Sequence, residues 1–112
     1  MIRYNEYSTN TNSDYTISYS TPHSIRYYDN AEVLKYKILL ENKNESGIYK
    51  WENKMSGECY IGSAVNLKKR FSEYFRESYI THPSRSKSII CYALVKYGYS
   101  NFSLSILEYC EK

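Results

Sequence analysis

The sequence predicts an α+β domain with the element order β-β-α-α-β, set behind a polar leader. Three observations carry this. Two runs of aromatic and β-branched residues, 47–53 (GIYKWEN) and 58–62 (ECYIG), flank the short stretch Lys54-Met55-Ser56-Gly57. Leu67, Phe71, Tyr74 and Phe75 keep the i, i+4, i+7, i+8 spacing of a buried helical stripe. Residues 102–109 alternate, with Phe102, Leu104 and Ile106 on one face, as a half-buried strand does.

Taken in order, residues 1–29 are dominated by Ser, Thr, Asn and Tyr and show no apolar period. Such a segment buries too little to offset its ordering entropy, so 1–29 is expected to be a disordered leader. Residues 30–45 form a leader helix and linker, with Asn30 as N-cap and Leu34 and Ile38 available for packing. The folded domain is expected over 46–112. Its first two strands make a hairpin with Gly57 in the turn. Placing Asn53 opposite Glu58 pairs Trp51 with Tyr60 and Tyr49 with Gly62, which puts Tyr49, Trp51 and Tyr60 on one face. Asn66 caps a helix reaching about residue 78, on which Lys69 and Glu73 read as an exposed i,i+4 pair and Arg70 lies one turn from Tyr74. Pro83 breaks the polar loop 81–86. A second helix over 87–97 turns Ile90 and Leu94 inward and ends at Gly98, before the last strand.

Composition narrows the function classes. The chain has 112 residues, room for one small domain. No stretch approaches the roughly 18 apolar residues of a membrane helix, and the N-terminus lacks a secretory or arginine-rich import pattern, so a soluble, unprocessed chain is expected. Cys59, Cys91 and Cys110 are odd in number and form no close pair, and His23 and His82 lie apart from them. Reduced thiols and no structural metal follow, with Cys59 and Cys91 as small core residues. The fifteen tyrosines accompany ten lysines, ten isoleucines and nine asparagines, all with A/T-rich codons, so not every tyrosine is functional. Charge is uneven. Residues 1–40 hold four cations and four anions, whereas 46–96 hold nine cations against four anions. A basic domain behind a neutral leader suits a polyanionic partner, and equally a plain solvated surface.

Gly47-Ile48-Tyr49, ten residues, then Tyr60-Ile61-Gly62 is the pattern that names the GIY-YIG endonucleases. Residues 62–71 resemble that family's second block, with an arginine on the first helix, and 96–102 with 105–108 resemble its third. The segment 31–46 is similar to the helix that precedes the domain in fungal mitochondrial intron-encoded homing endonucleases. The resemblance implies a three-stranded antiparallel sheet flanked by helices. It also implies metal-dependent hydrolysis of phosphodiesters in double-stranded DNA, a Mg²⁺ or Mn²⁺ ion, and a place in the mitochondrial matrix.

Such chemistry needs a deprotonated water, neutralised phosphoryl oxygens and a stabilised leaving oxygen. By resemblance, the catalytic residues are Tyr49, Tyr60 and Arg70. Tyr49 would be the general base, with a nearby cation to favour its ionised form, and Arg70 would hold the phosphate through its donor fork. Taken singly, each tyrosine reads as a half-buried strand residue and Arg70 as a solvated helix residue; the joint spacing favours chemistry. Gly62, Ser63, Lys69, Tyr74 and Lys96 are the substrate-binding candidates. Ser63 either bonds the phosphate or merely begins a loop, Tyr74 either touches the site or only packs, and Lys69 and Lys96 are backbone-phosphate contacts or plain surface. The family's metal-binding glutamate is expected on a helix beyond Lys112, which makes this chain an N-terminal fragment lacking the domain's C-terminal helices. Glu108 matches a strand-end carboxylate that the resemblance does not make a ligand. Two readings stay open at this point: part of an active endonuclease, or an inactive remnant with weak, non-specific DNA binding.

Overall fold

In the computed structural model of the chain, the described residues are 24–111 and the backbone of Arg3–Asn5. The strands are β1 (Arg3–Asn5), β2 (Arg26–Tyr28), β3 (Ser46–Asn53), β4 (Cys59–Ala64) and β5 (Phe102–Cys110). The helices are α1 (Lys35–Glu41), α2 (Leu67–Tyr74), α3 (Glu77–Ile80) and α4 (Ile89–Tyr97), with 3-10 turns at Pro83–Arg85 and Tyr99–Asn101. The sheet order is β1-β4-β3-β5-β2. All neighbours are antiparallel except β1, which runs parallel to β4. The α+β class and the β-β-α-α-β order therefore hold, on a sheet wider than the expected three strands.

The hairpin forms in the register read from the sequence, with Tyr49 opposite Gly62 and Trp51 opposite Tyr60. Asn53 closes the turn, its Oδ1 accepting from the Met55 and Ser56 amides at 2.9 and 3.3 Å. An asparagine bonding backbone two residues ahead substitutes for a missing ladder bond. Tyr49, Trp51, Tyr60, Phe102, Leu104 and Ile106 all face the helices and are at most 1% exposed. Trp51 is the hub, meeting Phe71, Tyr74, Phe75 and Phe102 edge to face at 5.7–6.4 Å between centroids. That geometry sets ring edges against ring faces, adding to the burial term.

Asn66 caps α2 by accepting from the Lys69 amide at 3.0 Å, and Leu67, Phe71 and Tyr74 are its buried stripe. The helix ends at Tyr74 rather than near 78, and α3 resumes at Glu77. Ser88 caps α4 and Gly98 closes it with φ of 85°, a conformation costly for any residue with a Cβ. Cys59 and Cys91 are buried in the core. Asn30 does cap, accepting from the amides of Glu32 and Val33, although a turn precedes the α-helix proper at Lys35.

The disordered leader expected over 1–29 is corrected where the residues are described. Arg26–Tyr28 pairs with β5, and Ile25 donates its amide to the Ile106 carbonyl at 2.7 Å. Tyr28 is 2% exposed, with its hydroxyl on Glu41 and Asn42. An edge strand satisfies the open side of β5 through backbone groups alone, and only Tyr28 of its three residues turns inward. No apolar period is needed for that, so none appears. Arg3–Asn5 likewise pairs with β4. Residues 1–2 and 6–23, the bulk of the expected leader, lie outside the described residues.

Candidate active site

One glycine lets a tyrosine ring cross β4, and a second admits the neighbouring strand. A Cβ on Gly62 would lie 2.5 Å from Tyr49 Oη and 2.6 Å from its Cζ, so the ring lies directly over this residue. A Cβ on Gly47 would run into the Glu108 carbonyl, which a bulge between Ile48 and Tyr49 in the β3–β5 pairing pushes toward it. Only glycine fits either place. Tyr49 thus reaches past β4 to α2, held edge-on by Phe71 at 5.2 Å between centroids.

There it meets Arg70. The guanidinium Nη1 donates to Tyr49 Oη at 3.2 Å and to the Ser63 carbonyl at 3.3 Å, while Nε lies 3.9 Å from Glu73 Oε1. Tyr74, one turn further along α2, shares a 3.0 Å hydrogen bond between its hydroxyl and that of Tyr49. Tyr74 therefore does both things the sequence left open, bonding Tyr49 and packing on Trp51. Burial works to lower the Arg70 pKa, but Tyr49 and Tyr74 outweigh it and raise the pKa, so the guanidinium stays a cation.

Exposure separates these residues. Tyr49 is fully buried and Tyr74 is 4% exposed, whereas the Arg70 side chain is 36% exposed. Arg70 opens onto a cleft of about 320 Å³ lined by Ala64, Val65, Asn66, Lys69, Arg70 and Glu73. Tyr60 shares the sheet face with Tyr49, but its hydroxyl donates to Glu58 Oε1 at 3.1 Å and its ring leans on Phe102. Ser63 meets Arg70 through its carbonyl, since its side chain belongs to the opposite face. Lys69 lines the cleft. Lys96 sits on α4 with its ammonium 5.2 Å over the Tyr97 ring, and it is not among the cleft's lining residues.

Glu73 corrects one sequence reading. Its ion pair is with Arg70 at i,i+3 rather than with Lys69 at i,i+4, because Arg70 is drawn down onto Tyr49 and Ser63. The signal was present, since both spacings are possible on a helix and only the sheet beneath decides between them. Among the described residues no group of three His, Cys, Asp or Glu side chains could hold a metal ion, and the cleft's one carboxylate, Glu73, is engaged with Arg70. The described residues thus supply no ligand set of their own for the Mg²⁺ or Mn²⁺ ion, whose ligand the resemblance puts beyond Lys112. No helix among them is long and apolar enough to cross a membrane.

What this cluster can do follows from its parts. A permanent guanidinium opening onto a cleft can pair with anionic oxygens, and the phenol beneath it is reached only through that guanidinium. The family model for the GIY-YIG catalytic domain matches residues 45–112. The UvrABC system protein C of Bifidobacterium longum, in strains DJO10A and NCC 2705, is 34% identical over 44 residues, covering 39% of this chain. This chain spans only 6% of the length of those relatives. No solved structure matches.

Proposed function

The chain belongs to the GIY-YIG catalytic-domain family, and from that premise we propose that it acts on double-stranded DNA as a homing-type endonuclease domain. The observation that supports this reading is the chain of contacts from the cleft inward: Arg70, then Tyr49, then Tyr74. A backbone phosphate entering the cleft meets Arg70 first and draws the guanidinium outward. The same movement uncovers the Tyr49 oxygen, which as the phenolate takes a proton from a water beside the phosphorus. Arg70 neutralises charge on the phosphoryl oxygens as the bond to the water forms. The bond to the departing 3′ oxygen breaks in the same displacement. A divalent cation, where one takes part, would stabilise that oxygen. The mitochondrial, intron-encoded setting belongs to this proposal through the similarity of 31–46 to the helix preceding such domains.

A second reading, a remnant that binds DNA without cutting it, is favoured by the full burial of Tyr49 and the lack of a metal-ligand set among the described residues. A supercoiled-plasmid assay with Mg²⁺ or Mn²⁺ separates the two. The endonuclease reading expects nicking that Arg70→Ala lowers about 100-fold, on the order of 3 kcal/mol of transition-state stabilisation. Plasmid binding without nicking by the wild-type chain would support the remnant instead.

A further inference from the structure

A second basic site lies one helix further on. Between α3 and the following 3-10 turn, a cleft of about 360 Å³ is lined by Arg76, Ser78, Tyr79, His82, Ser84 and Arg85. The Arg85 guanidinium stacks over the Tyr79 ring at 4.2 Å, and that of Arg76 lies 5.9 Å from the same centroid. Neither arginine has an ion-pair partner among the described residues. The Arg85 Nε is buried with no hydrogen-bond acceptor among them. Two cations beside one ring, with no carboxylate in ion-pair contact with either among the described residues, leave positive charge that an anion would neutralise.

The turn presents donors to the same place. His82 Nδ1 accepts from the Ser84 amide at 3.1 Å, which fixes the neutral ring as the tautomer with its hydrogen on Nε2. Nε2–H is then a donor on an exposed side chain. Burial pushes the Tyr79 phenol pKa up and Glu73 adds to that, while Arg85 and Arg70 both oppose it.

We propose that the Arg76–Tyr79–Arg85 cleft holds a backbone phosphate of the DNA duplex, at a place apart from the Arg70 cleft. The inference rests on the reading of DNA as partner, and it makes a claim about binding that is independent of cleavage. An Arg guanidinium suits this role better than lysine, since its fork spans two phosphate oxygens while its plane stays stacked.

The test measures binding of a fluorescein-labelled DNA duplex by anisotropy in EDTA, across a series of salt concentrations. Each phosphate contact contributes about −0.9 to the slope of log K against log salt. Arg85→Ala is expected to make the slope shallower by about 0.9 and weaken binding several-fold on duplexes of any sequence. Arg85→Gln, which keeps a planar group on Tyr79, should do the same and guards against a folding defect in the alanine variant. An unchanged slope in both variants would overturn the inference, as would failure of the wild-type chain to bind the duplex at low salt. A reduced slope with a wild-type chain that does not nick plasmid would uphold this site and sink the endonuclease reading alone.

Discussion

Replacing Gly62 by alanine asks whether Tyr49 is held where the site needs it. The added Cβ would stand 2.5 Å from Tyr49 Oη and 2.6 Å from Cζ. Carbon contacts settle at about 3.5–4.0 Å, so the ring must retreat by roughly 1 Å. It has nowhere easy to go, since Phe71 and Tyr74 abut it edge-on at 5.2 and 6.2 Å between centroids. A shift of that size would break the 3.2 Å bond from Arg70 and the 3.0 Å bond with Tyr74. Overpacking costs about 1–3 kcal/mol and the two buried hydrogen bonds about 1–2 kcal/mol together, so a loss of about 2–5 kcal/mol is expected. Urea unfolding followed by circular dichroism measures it as a fall in the midpoint at constant m. A second arm uses Tyr49→Leu as background, where the same glycine change should be much milder because the ring is gone. A change below about 0.5 kcal/mol in the wild-type background would mean that Tyr49 does not lie over this glycine, and the site described above would fall with it.

Other outcomes follow from the same geometry. Arg70→Lys keeps the charge, but a single ammonium cannot replace the fork that reaches Tyr49 and Ser63, so nicking should drop at least tenfold while duplex affinity changes less, as measured by plasmid assay beside anisotropy. Asn66→Ala removes the cap on α2 and should lower thermal stability by about 1 kcal/mol, with Asn66→Asp restoring most of it. Tyr28→Phe leaves the Asn42 amide short of a partner in a buried setting and should destabilise by about 1–3 kcal/mol in urea titration. Burial, with Glu77 adding to it, pushes the Tyr99 pKa up to about 12. Its neutral form is thus the one the fold prefers. Its contribution is complete below the ordinary tyrosine value of about 10 and is lost as pH rises through about 12. Alkaline unfolding should therefore steepen between those limits and be less steep there in Tyr99→Phe, with Tyr28, Tyr79 and Tyr109 supplying the rest.

Much of the fold was readable because its signals are local. The hairpin register follows from turn length and strand period, and it brought Tyr49 opposite Gly62 as expected. The stripe on α2, its Asn66 cap and the Gly98 terminus each depend on residues within about two turns of one another. The GIY-YIG family was equally legible, since the two tripeptides and their spacing sit in one stretch. Beyond that, pairing across the chain took over. Arg26–Tyr28 became a strand by lying along β5, about eighty residues away, through backbone groups every residue carries. Likewise, the sequence placed Arg70 on a helix above the sheet, but its partner was decided by the Tyr49 ring crossing Gly62 to meet it. Tyr60 was read with Tyr49 from their shared face, yet only the folded hairpin set its hydroxyl against Glu58. The basic cleft at Arg76 and Arg85 had no motif to announce it. The sequence by itself determined the elements, the shared face and the family. The tertiary structure decided which polar tips meet, because a face is set by backbone period whereas the far end of a long side chain goes wherever packing leaves it a partner.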